Sequence, residues 1–158
     1  MNKGFGMVEA VISVSIAASF IVILSGANFA YSTLAFGQSN KIQATFLAEE
    51  GLEAVRFLRD EHWKNNIEPF ATGADYFPAF TGTRWTLNPT SATSTVGIFE
   101  RKVVFQPVSR DASDNIVASG GTVDPNTLLV MVRVSWQEKG RDYNKVMSTY
   151  ITNMFAEE

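Results

Sequence analysis

The chain has 158 residues, a formal net charge of -3 and no cysteine, which bounds it to one modest domain with an appended segment and gives no global basic field for nucleic acid. Without cysteine there are no disulfides, thiolate metal sites, iron–sulfur clusters or cysteine nucleophiles, and a single histidine, His62, rules out multi-histidine metal sites. The hydrophobic share is an ordinary 46%, but its distribution is lopsided. Residues 10–40 carry no charge at all, whereas beyond Lys41 charges come regularly.

The first element is therefore an apolar N-terminal helix. An uncharged run of this length exceeds the ~20 residues needed to cross a hydrocarbon core and is too long for the h-region of a secretory signal. At ~1.5 Å per residue it extends roughly 40 Å or more. Lys3 on its short side favours an N-terminus left in the cytoplasm, with the rest exported. Three readings fit such a segment: a plain membrane anchor, a secretory signal cleaved near Ser25-Gly26-Ala27, and a short leader cut after Gly4 that leaves the apolar helix on the mature protein.

Glu9 discriminates among them. A carboxylate at the start of an apolar spanning segment costs about 2.5–3.5 kcal/mol at mid-membrane and less near the interface. A passive anchor or a disposable signal has no use for that cost; a helix that docks beside identical helices does. Cleavage after Gly4 frees the amine of Phe5 about one helical turn from Glu9. Glu9 of one subunit then pairs with the Phe5 amine of a neighbour, which fixes register in a low-dielectric bundle.

These residues, KGFGMVEAVI, resemble the N-terminal signature of type IV pilins and pseudopilins: a short basic leader ending in Gly, then Phe, with Glu at the fifth mature position. The pair Gly6-Met7 departs from the Thr-Leu more usual in that family. The resemblance covers residues 3–36. It implies a prepilin peptidase that cuts between Gly4 and Phe5 and N-methylates Phe5, with Glu9 as the assembly carboxylate. It also implies storage in the inner membrane, other pilin subunits as partners, and an assembly platform with its ATPase. Adhesion, motility, secretion and DNA uptake are all duties such filaments perform. Major pilins often close a C-terminal loop with a disulfide, so the lack of cysteine favours a minor subunit.

No proline precedes Pro69, so one helix is expected from about residue 5 to about residue 65. Ser13, Ser15 and Ser19 are expected to bond back to the preceding turn. Gly26 weakens the apolar run by ~1 kcal/mol relative to Ala. It serves either as a helix-weakening point, as pilins often have near this position, or as a small residue permitting close helix approach. Ile42, Phe46, Leu47, Ala54, Val55 and Leu58 form an apolar stripe expected to face a globular head. The other side carries Glu49, Glu50, Glu53, Arg56, Arg59, Asp60 and Glu61, with Glu53–Arg56 and Arg56–Asp60 at pairing distance along the helix.

Residues 69–94, rich in Gly, Pro, Thr and Ser, read as a long irregular connection with a short strand at 84–87. Its aromatics, Phe70, Tyr76, Phe77, Phe80 and Trp85, either pin the loop to a sheet or form an adhesive surface. Three clear strands follow. Residues 98–106 set Phe99, Arg101, Val103 and Phe105 against Glu100 and Lys102. Residues 128–137 set Leu128, Val130, Val132, Val134 and Trp136 against Met131, Arg133 and Ser135. Residues 143–152 close a hairpin through the glycine turn at 139–142. The expected architecture is α+β, a pilin-like lollipop in which a long N-terminal helix packs on a C-terminal antiparallel meander. Its parts are the leader 1–4, the filament-core or transmembrane half 5–36, and the periplasmic or extracellular head 37–158.

Asp111 and Asp114 sit in the one loop with clustered oxygen ligands, where calcium is conceivable, but two Asp and an Asn are also ordinary turn formers and no EF-hand spacing is present. No phosphate-binding glycine loop, nucleophile elbow or histidine-centred cluster occurs, and the adjacent pairs Glu49-Glu50 and Glu157-Glu158 do not build an acid/base dyad. No enzyme activity, cofactor, metal or nucleic-acid partner is expected. The leading expectation is a filament subunit, a minor pilin or a secretion pseudopilin. The alternative is a membrane-tethered extracellular binding domain that does not polymerise.

Overall fold

The computed structural model describes residues 6–90 and 95–154. The chain divides into two compact units, with the boundary between Asn40 and Lys41. A single helix, α1, runs over Met7–Glu61 and belongs to both.

In the first unit α1 has the character its composition demands. Its most apolar 18-residue window has a mean hydropathy of 2.4, and none of that window is buried within the protein. It is the one helix among the described residues long and apolar enough to cross a membrane. Three of its serine hydroxyls are turned back on the helix itself. The hydroxyls of Ser13, Ser15 and Ser19 donate to the carbonyls of Glu9, Val11 and Ser15, each at 2.8 Å.

The second unit is a helix-on-sheet domain. The helical face that meets the sheet consists of Ala44, Ala48, Gly51, Leu52, Val55 and Leu58, all buried. This corrects the expected stripe. Val55, Leu58 and Ala54 are buried as expected and Leu47 packs at the core margin, but Ile42 and Phe46 are 55% and 64% exposed. Bulk misled the periodicity: the contact is made by small residues that let the helix approach closely. At Gly51 an added Cβ would lie 2.7 Å from Cγ1 of Val132 and 3.2 Å from Cδ of Arg101. Here glycine is required by proximity, not by backbone conformation.

The helix also ends earlier than expected. His62 is extended (φ -172°, ψ 106°), and a separate turn, α2 (Trp63–Asn66), follows. The break carries Trp63 and Ile67 into the core, where Ile67 is fully enclosed. Burial of two large apolar side chains, about 1.5–3 kcal/mol each, outweighs the lost helical bonds.

Among the described residues seven strands follow: β1 (Asp75–Phe80), β2 (Trp85–Asn88), β3 (Thr95–Val96), β4 (Phe99–Arg110), β5 (Ile116–Val117), β6 (Thr122–Glu138) and β7 (Arg141–Thr152). The sheet is antiparallel in the order β2-β1-β4-β6-β7, with β3 and β5 also pairing β4. β4, β6 and β7 form the expected meander. Strand β1 lies within the stretch read as irregular, and the β1–β2 hairpin joins the far side of β4, so the sheet is not a simple meander. Pro78 concealed β1. It is tolerated because β1 pairs β4 only at Asp75 and Tyr76 and has a single neighbour beyond them. β4 and β6 are longer than alternation indicated, because a register shift at Pro107/Val108 interrupts the pattern. The inner face carries Phe99, Val103, Phe105, Val130, Val132, Val134 and Trp136, in the predicted parity. The β6–β7 turn places Lys139 (φ 51°) and Gly140 (φ 73°) in left-handed conformations, as a tight two-residue hairpin requires.

Candidate functional site

The N-terminal end of α1 is built around Glu9. Gly6 precedes the first helical residue, and its carbonyl accepts from the amide of Ala10 at 3.2 Å. Glu9 is the third residue of the helix, where a carboxylate reaches the amides that the first turn leaves unpaired. Oε2 of Glu9 accepts from the Gly6 amide at 3.2 Å. The exposed carboxylate is thereby held at the helix's own positive end. Gly4 and Phe5 lie outside the described residues. Gly26 is helical and open on all sides, with nothing within 4 Å of an added Cβ. No contact inside the described chain calls for glycine there.

A second constellation joins helix to sheet in the head. Arg101 shares the inner face of β4 with Phe99, Val103 and Phe105, and its side chain is 5% exposed. A guanidinium there demands partners. Nη1 donates to Oε2 of Glu50 at 2.8 Å and to the carbonyl of Leu47 at 3.0 Å, and the group lies 5.5 Å from the centroid of the Trp85 ring. Sequence reasoning placed Arg101 on the core side but did not ask what would neutralise it. The presence of a charged residue within an apolar inward set was the available signal.

The third cluster is the loop between β4 and β5. Oδ1 of Asp111 accepts from the amides of Ser113 at 2.8 Å and Asn115 at 2.9 Å, a closed Asx turn. These bonds, led by the Asn115 amide, hold the Asp111 carboxyl below the usual carboxylate range. Asp114 takes the left-handed conformation (φ 66°), and its carboxylate stands 3.5 Å from Nε of Arg110. Arg110 donates from Nε to Oδ2 of Asp124 at 2.8 Å, which lowers the Asp124 carboxyl and raises the guanidinium. Asp111 is thus committed to the turn and Asp114 to the cationic side of Arg110. Among the described residues no group of three or more His, Cys, Asp or Glu side chains is placed to hold a metal ion.

Compared with protein-family models, curated proteins and solved structures, the chain matches none. What it can do therefore rests on its own geometry. The N-terminal helix offers one carboxylate on a surface that is otherwise apolar over its first turns. The head offers an arginine-pinned helix and a set of aromatics that the fold sorts into two groups. Phe70 stacks on Phe105 at 5.4 Å and packs against Tyr76 at 4.5 Å, while the Tyr76 hydroxyl accepts from the Ala71 amide at 2.7 Å. Phe77 is also buried. Phe80 is exposed, and Trp85 is partly buried against the core.

Proposed function

We propose that the chain is a structural subunit of a type IV pilus-like filament, of the minor-pilin kind. In this reading prepilin peptidase removes residues 1–4 and methylates the Phe5 amine. The product waits in the cytoplasmic membrane with its N-terminus inside. An assembly platform and its ATPase then extract it into a filament through α1.

The observation that carries the reading is Glu9. It is the only charged side chain described before Lys41 on a helix whose apolar window buries nothing against its own chain. A helix surface of that kind is complete only in lipid or against other helices. Lipid leaves the carboxylate unpaired at an energetic cost, whereas a neighbouring Phe5 amine matches it in charge and in axial position. In the stored subunit the Gly6 amide and the helix dipole stabilise the carboxylate. On assembly the neighbour's ammonium replaces that weaker partner.

Intact-mass measurement of the mature protein tests the processing. Loss of the first four residues plus one methyl group is expected, and an intact Met1 or cleavage near Ala27 contradicts the reading. Replacing Glu9 with Ala is expected to leave membrane insertion intact and to lower incorporation into filaments by about tenfold or more, as befits loss of one desolvated ion pair. Wild-type incorporation of that variant would remove the assembly role.

A further inference from the structure

The two edges of the sheet are built differently. β2, at one end, is four residues long, and its neighbour β1 carries Pro78. β7, at the other end, is twelve residues long and contains neither proline nor glycine. It pairs β6 from Glu138 opposite Arg141 to Thr127 opposite Thr152 without a register shift. Among the described residues β6 is its sole strand partner. A long, regular edge of this kind is a template for one more strand.

The turn shows which backbone groups that strand would meet. Glu138 and Arg141 close the two-residue turn as a hydrogen-bonded pair, so Arg141 and every second residue after it direct N–H and C=O at β6. The amides and carbonyls of Asp142, Asn144, Val146, Ser148, Tyr150 and Thr152 face the other way. Their side chains lie on the outer face, since Tyr143, Met147 and Ile151 pack on the core. Val146 and Tyr150 are 42% and 51% exposed there.

Charge selects the occupant and its direction. Arg141, Asp142 and Lys145 fall in the first half of β7, and residues 146–152 carry no charge. A second β7 laid parallel and in register would set Arg141 beside Arg141 and Lys145 beside Lys145. Laid antiparallel about a two-fold axis at Val146, every charged residue meets an uncharged one: Arg141 meets Ile151, Asp142 meets Tyr150, and Lys145 meets Met147. An axis one residue earlier would bring Lys145 against itself. Lys145 thus excludes the parallel arrangement and that earlier register but leaves the Val146-centred one open. At that axis Val146 meets Val146, a β-branched cross-strand pair, with Asn144 opposite Ser148 on either side. All of these residues belong to the set whose backbone groups face outward from the sheet. A foreign strand would satisfy the backbone, but the match in charge is with the sequence of β7 itself.

We propose that β7 pairs edge to edge with β7 of a second copy of this chain, antiparallel and centred on Val146, so that two sheets become one. A self-complementary contact of this kind closes at two copies and does not propagate. It is a state of the unassembled subunit, separate from filament growth through α1.

Sedimentation of the full chain in detergent micelles over a range of concentrations tests it, and a monomer–dimer equilibrium is expected. Val146→Lys sets like charges face to face at the axis. Ser148→Pro removes an outward amide while leaving the bonds to β6 in place. Each should weaken the dimer about tenfold or more without lowering the melting temperature. Val146 is exposed, so Val146→Lys carries the test should the proline variant fold poorly. The chain has no cysteine, so Val146→Cys supplies a single thiol at the axis. Mild oxidation should link two copies of it in higher yield than Ser113→Cys, which lies in an exposed loop. A monomer at every concentration, a dimer indifferent to both β7 replacements, or equal cross-linking at the two thiol positions overturns the proposal. Because the readout is on unassembled subunits, its failure leaves the filament reading standing, and failure of the filament reading leaves this one standing.

Discussion

At Arg101 the two ends of one ion pair sit in different media. The arginine side chain is 5% exposed, whereas Glu50 is 47% exposed. Neutralising Glu50 leaves a buried guanidinium with neutral acceptors only, the replacement amide oxygen and the Leu47 carbonyl. Removing Arg101 leaves a carboxylate that water can solvate. Glu50→Gln is therefore expected to destabilise the head by about 1–3 kcal/mol, and Arg101→Met, which keeps most of the volume, by less. Arg101→Ala adds a cavity beneath Trp85 and should be the worst of the three, at roughly 3–5 kcal/mol. Urea denaturation of the three variants ranks them; Arg101→Met costing more than Glu50→Gln would show that packing outweighs charge here. The carboxylates of the 110–124 region are expected to contribute to the acid limb of stability. Asp111 and Asp124 both have lowered pKa values in the folded protein. Their contribution is fully present above the unfolded carboxylate value of ~3.9 and is lost as pH falls below it, through the folded values. Melting temperature should then hold from neutral pH to about 4 and drop below it, and Asp124→Asn should flatten that drop.

Gly51 sets how closely α1 approaches the sheet. Alanine is the better helix former by ~1 kcal/mol, but its Cβ would meet a β-branched side chain anchored in the core, 2.7 Å away. Overpacking of this kind costs about 1–3 kcal/mol, so Gly51→Ala is expected to lower the melting temperature despite the helical gain. A rise would mean that the helix can shift outward freely. The same contact explains what the sequence concealed. Strand parity was legible in β4, β6 and β7 because inward apolar residues alternate with outward polar ones. The helix face was not, because Ala44, Ala48 and Gly51 carry little hydrophobic signal while the bulky Ile42 and Phe46 point elsewhere. β1 was hidden by Pro78, and the end of α1 by a break at His62 that contains neither glycine nor proline. In both cases tertiary packing overrode local preference. Glu9 stood out at once, being a lone charge in an apolar run, whereas the pairing of Arg101 with Glu50 joins residues from β4 and α1 that no local pattern connects.

On the scale of the whole chain, α1 contributes to a compact unit of residues 41–158 and to a second unit whose most apolar helical window is unburied among the described residues. Gly26 lies in that second unit and touches nothing within 4 Å of where a side chain would begin. Substitution there should leave the isolated subunit's head stability unchanged and raise its helicity, since glycine is the weaker helix former by about 1 kcal/mol. Any defect must then arise in the assembled state. The two roles open to Gly26 separate by side-chain size. If neighbouring helices approach closely at this point, Ala is tolerated and Leu blocks assembly, because the limit is steric. If the helix must loosen on assembly, Ala and Leu impair it alike, because both are strong helix formers. Leu is thus expected to fail under either role, with filament yield from the Ala variant deciding between them. Normal yield from the Leu variant would show that Gly26 serves neither, and would place the helix–helix contacts of the proposed filament elsewhere along α1.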